Sequence, residues 1–172
     1  FKKALEIEPN YVSAYNNLGV TLTEMGRLND AINALDSALK IDSENAEIYN
    51  NKGKALKDLG KTDEAIKCFR LALKVNPDFA EAHVNLSFVL LNSGQLIEGL
   101  CENEWRWKTS DFTGRYRQFS KPSWDRSLSL RGKRLLIWSD QGIGDTVNWS
   151  SLLPIISNNA GHCILECNEK LV

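Results

Sequence analysis

The sequence predicts a mainly α protein: a solenoid of stacked helical hairpins, an α-α superhelix, followed by a short incomplete β-α-β segment. Three observations predict it. The chain falls on itself when shifted by 34 residues; glycine returns at one fixed offset inside that period; and near Arg134 the helical pattern gives way to two short apolar runs separated by a glycine turn. A period of about 20–50 residues marks a repeat architecture, whose units bury their apolar faces only against their neighbours.

The shift brings Tyr15, Tyr49 and His83 together, then Leu18, Lys52 and Leu86, Gly19, Gly53 and Ser87, and Leu22, Leu56 and Leu90. Gly26, Gly60 and Gly94 align next, and after them Ala31, Ala65 and Gly99. In the second half of the unit Phe1, Leu35 and Phe69 follow suit, as do Ala4, Ala38 and Ala72, and Leu5, Leu39, Leu73 and Trp107. Counted from Val12, positions 4, 7, 8 and 11 lie three and four apart, on one face of a first helix. Glycine or serine at position 8 lets a partner helix approach, and glycine at position 15 ends the first helix where φ is positive or the turn tight. Alanine at position 20 and a large residue at position 24 form the opposing face of the second helix. Pro9 and Pro77 close units because proline cannot continue a helix, with Ser43 in that place between them.

The expected organisation is a truncated repeat's second helix over residues 1–11, repeats at 12–45 and 46–79, and a terminal repeat at 80–113. The lone first segment suggests that the chain begins inside a longer array. The third unit decays: Gly99 and Asn103 replace the usual alanine and large residue, and the helix runs into Trp105-Arg106-Trp107. These tryptophans are expected to seal the last hairpin rather than to stack a ligand.

The pattern resembles the tetratricopeptide repeat (TPR), whose W-x2-L-G-x2-Y…A-x3-F…P consensus is met almost completely in the second unit. That resemblance implies a concave groove lined by the first helices. Position 6 is Asn17, Asn51 and Asn85, although asparagine is a mediocre helix former. An amide carries donors and an acceptor, so a row of them suits the recurring N–H and C=O groups of an extended peptide. The row resembles the asparagine ladder of O-linked N-acetylglucosamine transferases; asparagine is also common at this position in such repeats generally. Asn16, Asn50, Val20, Lys54 and Phe88 are neighbouring groove candidates. A carboxylate clamp for acidic C-termini needs several basic groove residues, and only Lys54 stands out. The expected partner is therefore a protein or peptide.

Other classes are disfavoured. A formal charge of −1 makes no electrostatic case for nucleic acid. No apolar run approaches the roughly 18 residues of a membrane span, and Phe1-Lys2-Lys3-Ala4-Leu5 passes directly into an amphipathic pattern rather than a signal peptide. Cys68, Cys101, Cys163 and Cys167 lack C-x-x-C spacing, and the histidines are His83 and His162, so neither metal nor cofactor is expected. Cys163 and Cys167 share a strand face about 13 Å apart, too far for a disulfide. Four free thiols imply a reducing compartment, the cytoplasm.

Residues 114–133 lack helical period and read as a linker, carrying most of the basic excess between Arg106 and Arg134. Arg134–Ser139 suits a buried parallel strand, Gln141–Thr146 a glycine turn, about 146–158 a helix, and His162–Cys167 a second strand. By itself the turn is a weak phosphate signal: Gly142, Gly144 and Thr146 fit a helix N-terminus, but no G-x-G-x-x-G is present, and Asp145 reads first as the helix N-cap. The wider context, Trp105-Arg106-Trp107, Pro122-Ser123-Trp124-Asp125, Leu130-x-Gly132-Lys133-Arg134-Leu135-Leu136, Asp140 to Thr146 and Leu153-Pro154, is similar to the junction of bacterial proteins that fuse such repeats to a heptosyltransferase-like GT-B glycosyltransferase domain. The resemblance implies Asp145 as the base that takes the acceptor hydroxyl's proton. Asp140, Arg126 and Ser151 depart from that junction's usual Glu, Gly and Arg. Residues 134–172 are too few for a donor site, so no activity is expected of this chain as given, and the open segment is expected to lean on the last repeat, to pair with another copy or to be poorly ordered.

Overall fold

The computed structural model describes residues 7–110, 120–121, 129–138 and 153–166. The chain divides into two compact units, Phe1–Tyr116 and Arg117–Val172. The first is wholly helical among the described residues: α1 (Val12–Glu24), α2 (Leu28–Ile41), α3 (Ala46–Asp58), α4 (Thr62–Val75), α5 (Ala80–Asn92) and α6 (Leu96–Asn103), the last continuing as a 3-10 turn over Glu104–Lys108. The first helices start at Val12, Ala46 and Ala80, one period apart.

Each hairpin is made by the same few residues. Gly26, Gly60 and Gly94 adopt φ of 73°, 80° and 80° at the end of the first helix. This left-handed step lets the next N–H, of Arg27, Lys61 and Gln95, donate back to the carbonyls of Leu22, Leu56 and Leu90 at 2.9 Å, which satisfies a carbonyl at each helix end. Between repeats, the backbone N–H of Glu44 donates to Asp42 Oδ1 (3.3 Å) and that of Asp78 to Asn76 Oδ1 (3.2 Å). The turn is thus formed in the same way with Pro77 and with Ser43, and the side chain one position earlier closes it. Asn45 caps α3 by accepting from the Ile48 N–H at 3.3 Å.

The core follows the expected stripes. Phe69, Leu35, Ile48, Leu56, Leu86 and Leu90 are fully buried, with Ala31, Ala38, Ala55, Ala65 and Ala72 between them. Position 8 decides how closely the two helices of a hairpin approach. A Cβ placed on Gly53 would lie 2.6 Å from Phe69 Cε1, and one on Gly19 2.5 Å from Leu35 Cγ. Large residue and missing side chain therefore fit one another within each hairpin, as position 24 and position 8 predict. Ser87, buried at the corresponding site, belongs to the unit in which Asn103 replaces the large residue.

Lys52 occupies a position held by Leu18 and Leu86 in the other units. Its ammonium reaches Asp36 Oδ1 of the preceding repeat at 2.5 Å. Burial works against the charged lysine, but the hydrogen bond and charge of Asp36 outweigh it, with smaller help from Cys68 and Glu64, and hold its pKa above the ordinary lysine value. A raised lysine pKa contributes stability that is complete below the unfolded value, about 10.4, and is lost only as pH climbs through the folded one. At neutral pH the pair is intact, yet half-burying the ammonium has a desolvation cost. Lys52→Leu is accordingly expected to leave stability within about 1 kcal/mol of the parent, read as the urea midpoint at pH 7, while removing the alkaline loss.

The last hairpin is fastened differently. His83 is buried and stacks on Trp105, ring centroids 3.9 Å apart and planes 8° from parallel. Its Nε2 lies 2.8 Å from the Pro77 carbonyl oxygen, which can only accept, so this nitrogen carries a hydrogen. Its Nδ1 contacts the Glu102 carboxylate. Lys108 Nζ sits 3.8 Å from the Trp105 ring centroid. Trp105 thus packs on the final hairpin. Arg106 lies over Trp107 at 4.4 Å.

In the second unit β1 (Arg134–Trp138) and β2 (His162–Glu166) pair in parallel, Arg134 opposite His162 through Trp138 opposite Glu166. Helix α7 (Leu153–Asn159) packs on β2. Parallel strands need a crossover connection, so this is the expected β-α-β arrangement. Leu136, Ile164 and Leu165 remain exposed at 38%, 39% and 46%. Residues 139–152 and 167–172, including part of the expected helix and Cys167, lie outside the described residues.

Candidate peptide-binding groove

Successive first helices touch one another, α1 with α3 and α3 with α5, whereas successive second helices make no comparable contact. A stack whose first helices stand closest together curves with those helices on the inner side. The inner surface of the helical unit is therefore made by α1, α3 and α5.

On that surface, the asparagines at positions 5 and 6 are not equivalent. Asn16 and Asn50, at position 5, are buried, 7% and 6% exposed. Asn17 at position 6 is exposed, and Asn51 and Asn85 are half-buried. The two rows are joined across the repeat boundary: Asn51 Nδ2 donates to Asn16 Oδ1 at 2.9 Å, and Asn85 Nδ2 donates to Asn50 Oδ1 at 2.9 Å. Each buried amide holds the half-buried amide of the next repeat. Asn16 Nδ2 in turn donates to Glu47 Oε1 at 3.1 Å. Asn16 and Asn50 thus sit beneath the inner surface as inter-repeat ties, while Asn51 and Asn85 each keep one N–H and the carbonyl oxygen without a partner among the described residues.

The remaining candidates spread along the same helices. Val20 is half-buried, and Lys54 and Phe88 are exposed, Phe88 at 56%. Lys57 Nζ lies 5.3 Å from the Phe88 ring centroid and 3.2 Å from Asp58 Oδ1, so one ammonium serves a ring and a carboxylate. The surface combines backbone-like amides with a half-exposed aromatic and two lysines. Such a set can hydrogen-bond an extended chain and cover an apolar side chain. Lys57 carries no repeated signal at its position, and Glu47 recurs only as Glu81, where it reads as an acidic first turn rather than as a groove residue. Asp145, Gly142, Gly144 and Thr146 lie outside the described residues. Among the described residues no group of His, Cys, Asp and Glu could hold a metal, and no helix is long and apolar enough to cross a membrane.

Comparison with known proteins bears on the repeats and the fold. Tetratricopeptide-repeat family models match residues 46–79 and 1–33, and a TPR repeat model matches residues 19–60. No curated protein matches the sequence. Among solved structures, a crystal structure of MamA is 27% identical, covering 67% of this chain and 66% of that one with a TM-score of 0.58. Another crystal structure of MamA protein is 29% identical over 62% of this chain and 58% of that one, TM-score 0.56. The chain therefore spans somewhat under two thirds of each of these two MamA chains. The second TPR of Spaghetti (RPAP3), solved bound to the HSP90 peptide SRMEEVD, shares the fold at 20% identity, with 55% of this chain and 87% of that one covered and a TM-score of 0.53. Residues 1–79 thus match tetratricopeptide-repeat models, and the helical hairpins share their fold with these solved structures.

Proposed function

We propose that the repeats at 12–45, 46–79 and 80–113 form an interaction module that holds an extended polypeptide against α1, α3 and α5, as the recruiting arm of a larger protein. The observation that carries this reading is the pair of anchored amides, Asn51 and Asn85, set one period apart with a donor and an acceptor each uncommitted among the described residues. Amides held at one end by the scaffold lose little further freedom on binding, which lowers the ordering cost of recognition. Phe88 and Lys54 beside them supply side-chain contacts. A solved structure of the same fold carries a peptide ligand, the HSP90 peptide on the second TPR of Spaghetti (RPAP3), which supports peptide binding by such a fold. The free thiols Cys68, Cys101 and Cys163 suit a reducing compartment such as the cytoplasm.

The test is a peptide array read against the parent and the Asn51→Ala/Asn85→Ala variant. Each lost backbone hydrogen bond is expected to weaken binding about fivefold, and the pair at least tenfold, across peptides of differing sequence. Unaltered binding overturns the amide reading.

A second reading, membership of a glycosyltransferase with Asp145 as base, is favoured by one observation: β1 and β2 pair in parallel, the topology such a lobe starts with. Its test is the gene sequence, which must continue into a second Rossmann lobe.

A further inference from the structure

The direction of a hydrogen-bond chain is set by its most restricted member. A carboxylate accepts only, whereas an asparagine side chain donates from one side and accepts on the other. Glu47 Oε1 takes a hydrogen from Asn16 Nδ2 at 3.1 Å, so the amide nitrogen of Asn16 must face Glu47 and its carbonyl oxygen must face away. That oxygen is the atom Asn51 Nδ2 meets at 2.9 Å. Asn51 consequently turns its nitrogen inward and leaves its carbonyl oxygen and second N–H for the surface. The second tie lacks this constraint. Glu81 stands one period after Glu47 but is exposed, and makes no hydrogen bond to Asn50 among the described residues. The Asn50–Asn85 pair can exchange donor and acceptor by flipping both amides; the Asn16–Asn51 pair cannot.

We propose that Glu47 is a positioning residue of the groove: acting through the buried Asn16, it fixes which way the Asn51 amide presents its donor and acceptor to a bound peptide backbone. The inference rests on the interaction-module reading for its purpose but not for its geometry. Each partner lies on a different helix from the one it orders. Asn16 is on α1, while Glu47 and Asn51 are one turn apart on α3, spaced i and i+4 on one helical face. The relay therefore runs from α3 to α1 and back, and every link is made only when the two repeats are docked. Glu47 also lies in the first turn of α3, where a negative charge favours the helix N-terminus. A purely local role of that kind would depend on its charge, whereas the relay depends on its ability to accept.

The two roles separate under Glu47→Ala and Glu47→Gln, read by side-chain amide NMR of the whole chain and by the thermal midpoint. In Glu47→Ala the Nδ2 resonances of Asn51 are expected to shift and to exchange with solvent at least fivefold faster, while those of Asn85, with no such relay, stay in place. Glu47→Gln, neutral but still an acceptor, is expected to restore the parental Asn51 signals. Unchanged Asn51 signals in Glu47→Ala, or failure of Glu47→Gln to restore them, overturns the proposal. On the peptide array Glu47→Ala is expected to bind about fivefold more weakly than the parent, with the loss vanishing in an Asn51→Ala background. Equal losses in both backgrounds overturn the relay, whereas a ligand-free relay with no effect of Asn51→Ala on peptides overturns only the interaction reading it serves.

Discussion

Phe69→Ala is expected to lower the stability of the helical unit by about 3–5 kcal/mol, a large share of what a domain of this size possesses. Phe69 is fully buried in the middle repeat. It shares one apolar cluster with Leu56 of α3, Ile66 of α4, and Leu86, Val89 and Leu90 of α5. One ring therefore ties a hairpin to itself and to the next hairpin. Truncation removes its transfer free energy and leaves a space that rigid helices close only in part. In a solenoid, stability is a sum of repeat terms and nearest-neighbour terms, so losing both kinds at once should also broaden the transition. Urea unfolding followed by helical circular dichroism measures both effects. A loss under about 1 kcal/mol, with unchanged steepness, would contradict the assigned packing.

Much of this was legible in the sequence because repetition multiplies weak signals. One Gly or one Leu says little, but the same residue type at the same offset in several units names the buried face, the helix end and the close approach. Gly26, Gly60 and Gly94 adopt the left-handed conformation their spacing implied. The candidate groove was legible only in part. Positions 5 and 6 are adjacent on a helix, and periodicity places both near the inner surface without saying which one a neighbouring helix covers. That depends on the crossing of α1 with α3 and of α3 with α5, a tertiary quantity. Asn16 and Asn50 consequently read as groove neighbours, whereas the structure places them beneath it as ties between repeats. Lys52 was visible as an exception in an apolar column, but its partner Asp36 lies in the preceding unit, and nothing in the period links the two. The pairing of Glu102 with His83 was hidden for a related reason: the third unit departs from the repeat where the contact is made.

Gly53→Ala sets two local rules against each other, and the structure says which one prevails. Alanine is the better helix former by about 1 kcal/mol, so on propensity alone the change in mid-helix should stabilise α3. The added Cβ, however, would stand 2.6–2.9 Å from three ring atoms of Phe69. Phe69 is fully buried and has no open side to which its ring could retreat, so the helices of the hairpin must part or the ring must leave its rotamer. Overpacking of this kind costs about 1–3 kcal/mol, enough to reverse the propensity gain, and Gly53→Val should be worse because its branches point at the same ring. The cause can be isolated with Gly60, where nothing lies within 4 Å of an added Cβ and the only penalty arises from φ of 80°. If crowding is the mechanism, Gly53→Ala and Phe69→Ala must be coupled: in the double variant the new methyl enters the space the ring has left. The combined loss is then expected to fall short of the sum of the single losses by about 1 kcal/mol or more, measured as a double-mutant cycle on urea midpoints. Strict additivity would mean that the ring does not confront Gly53, and the pairing of position 8 with position 24 would no longer explain how these hairpins close.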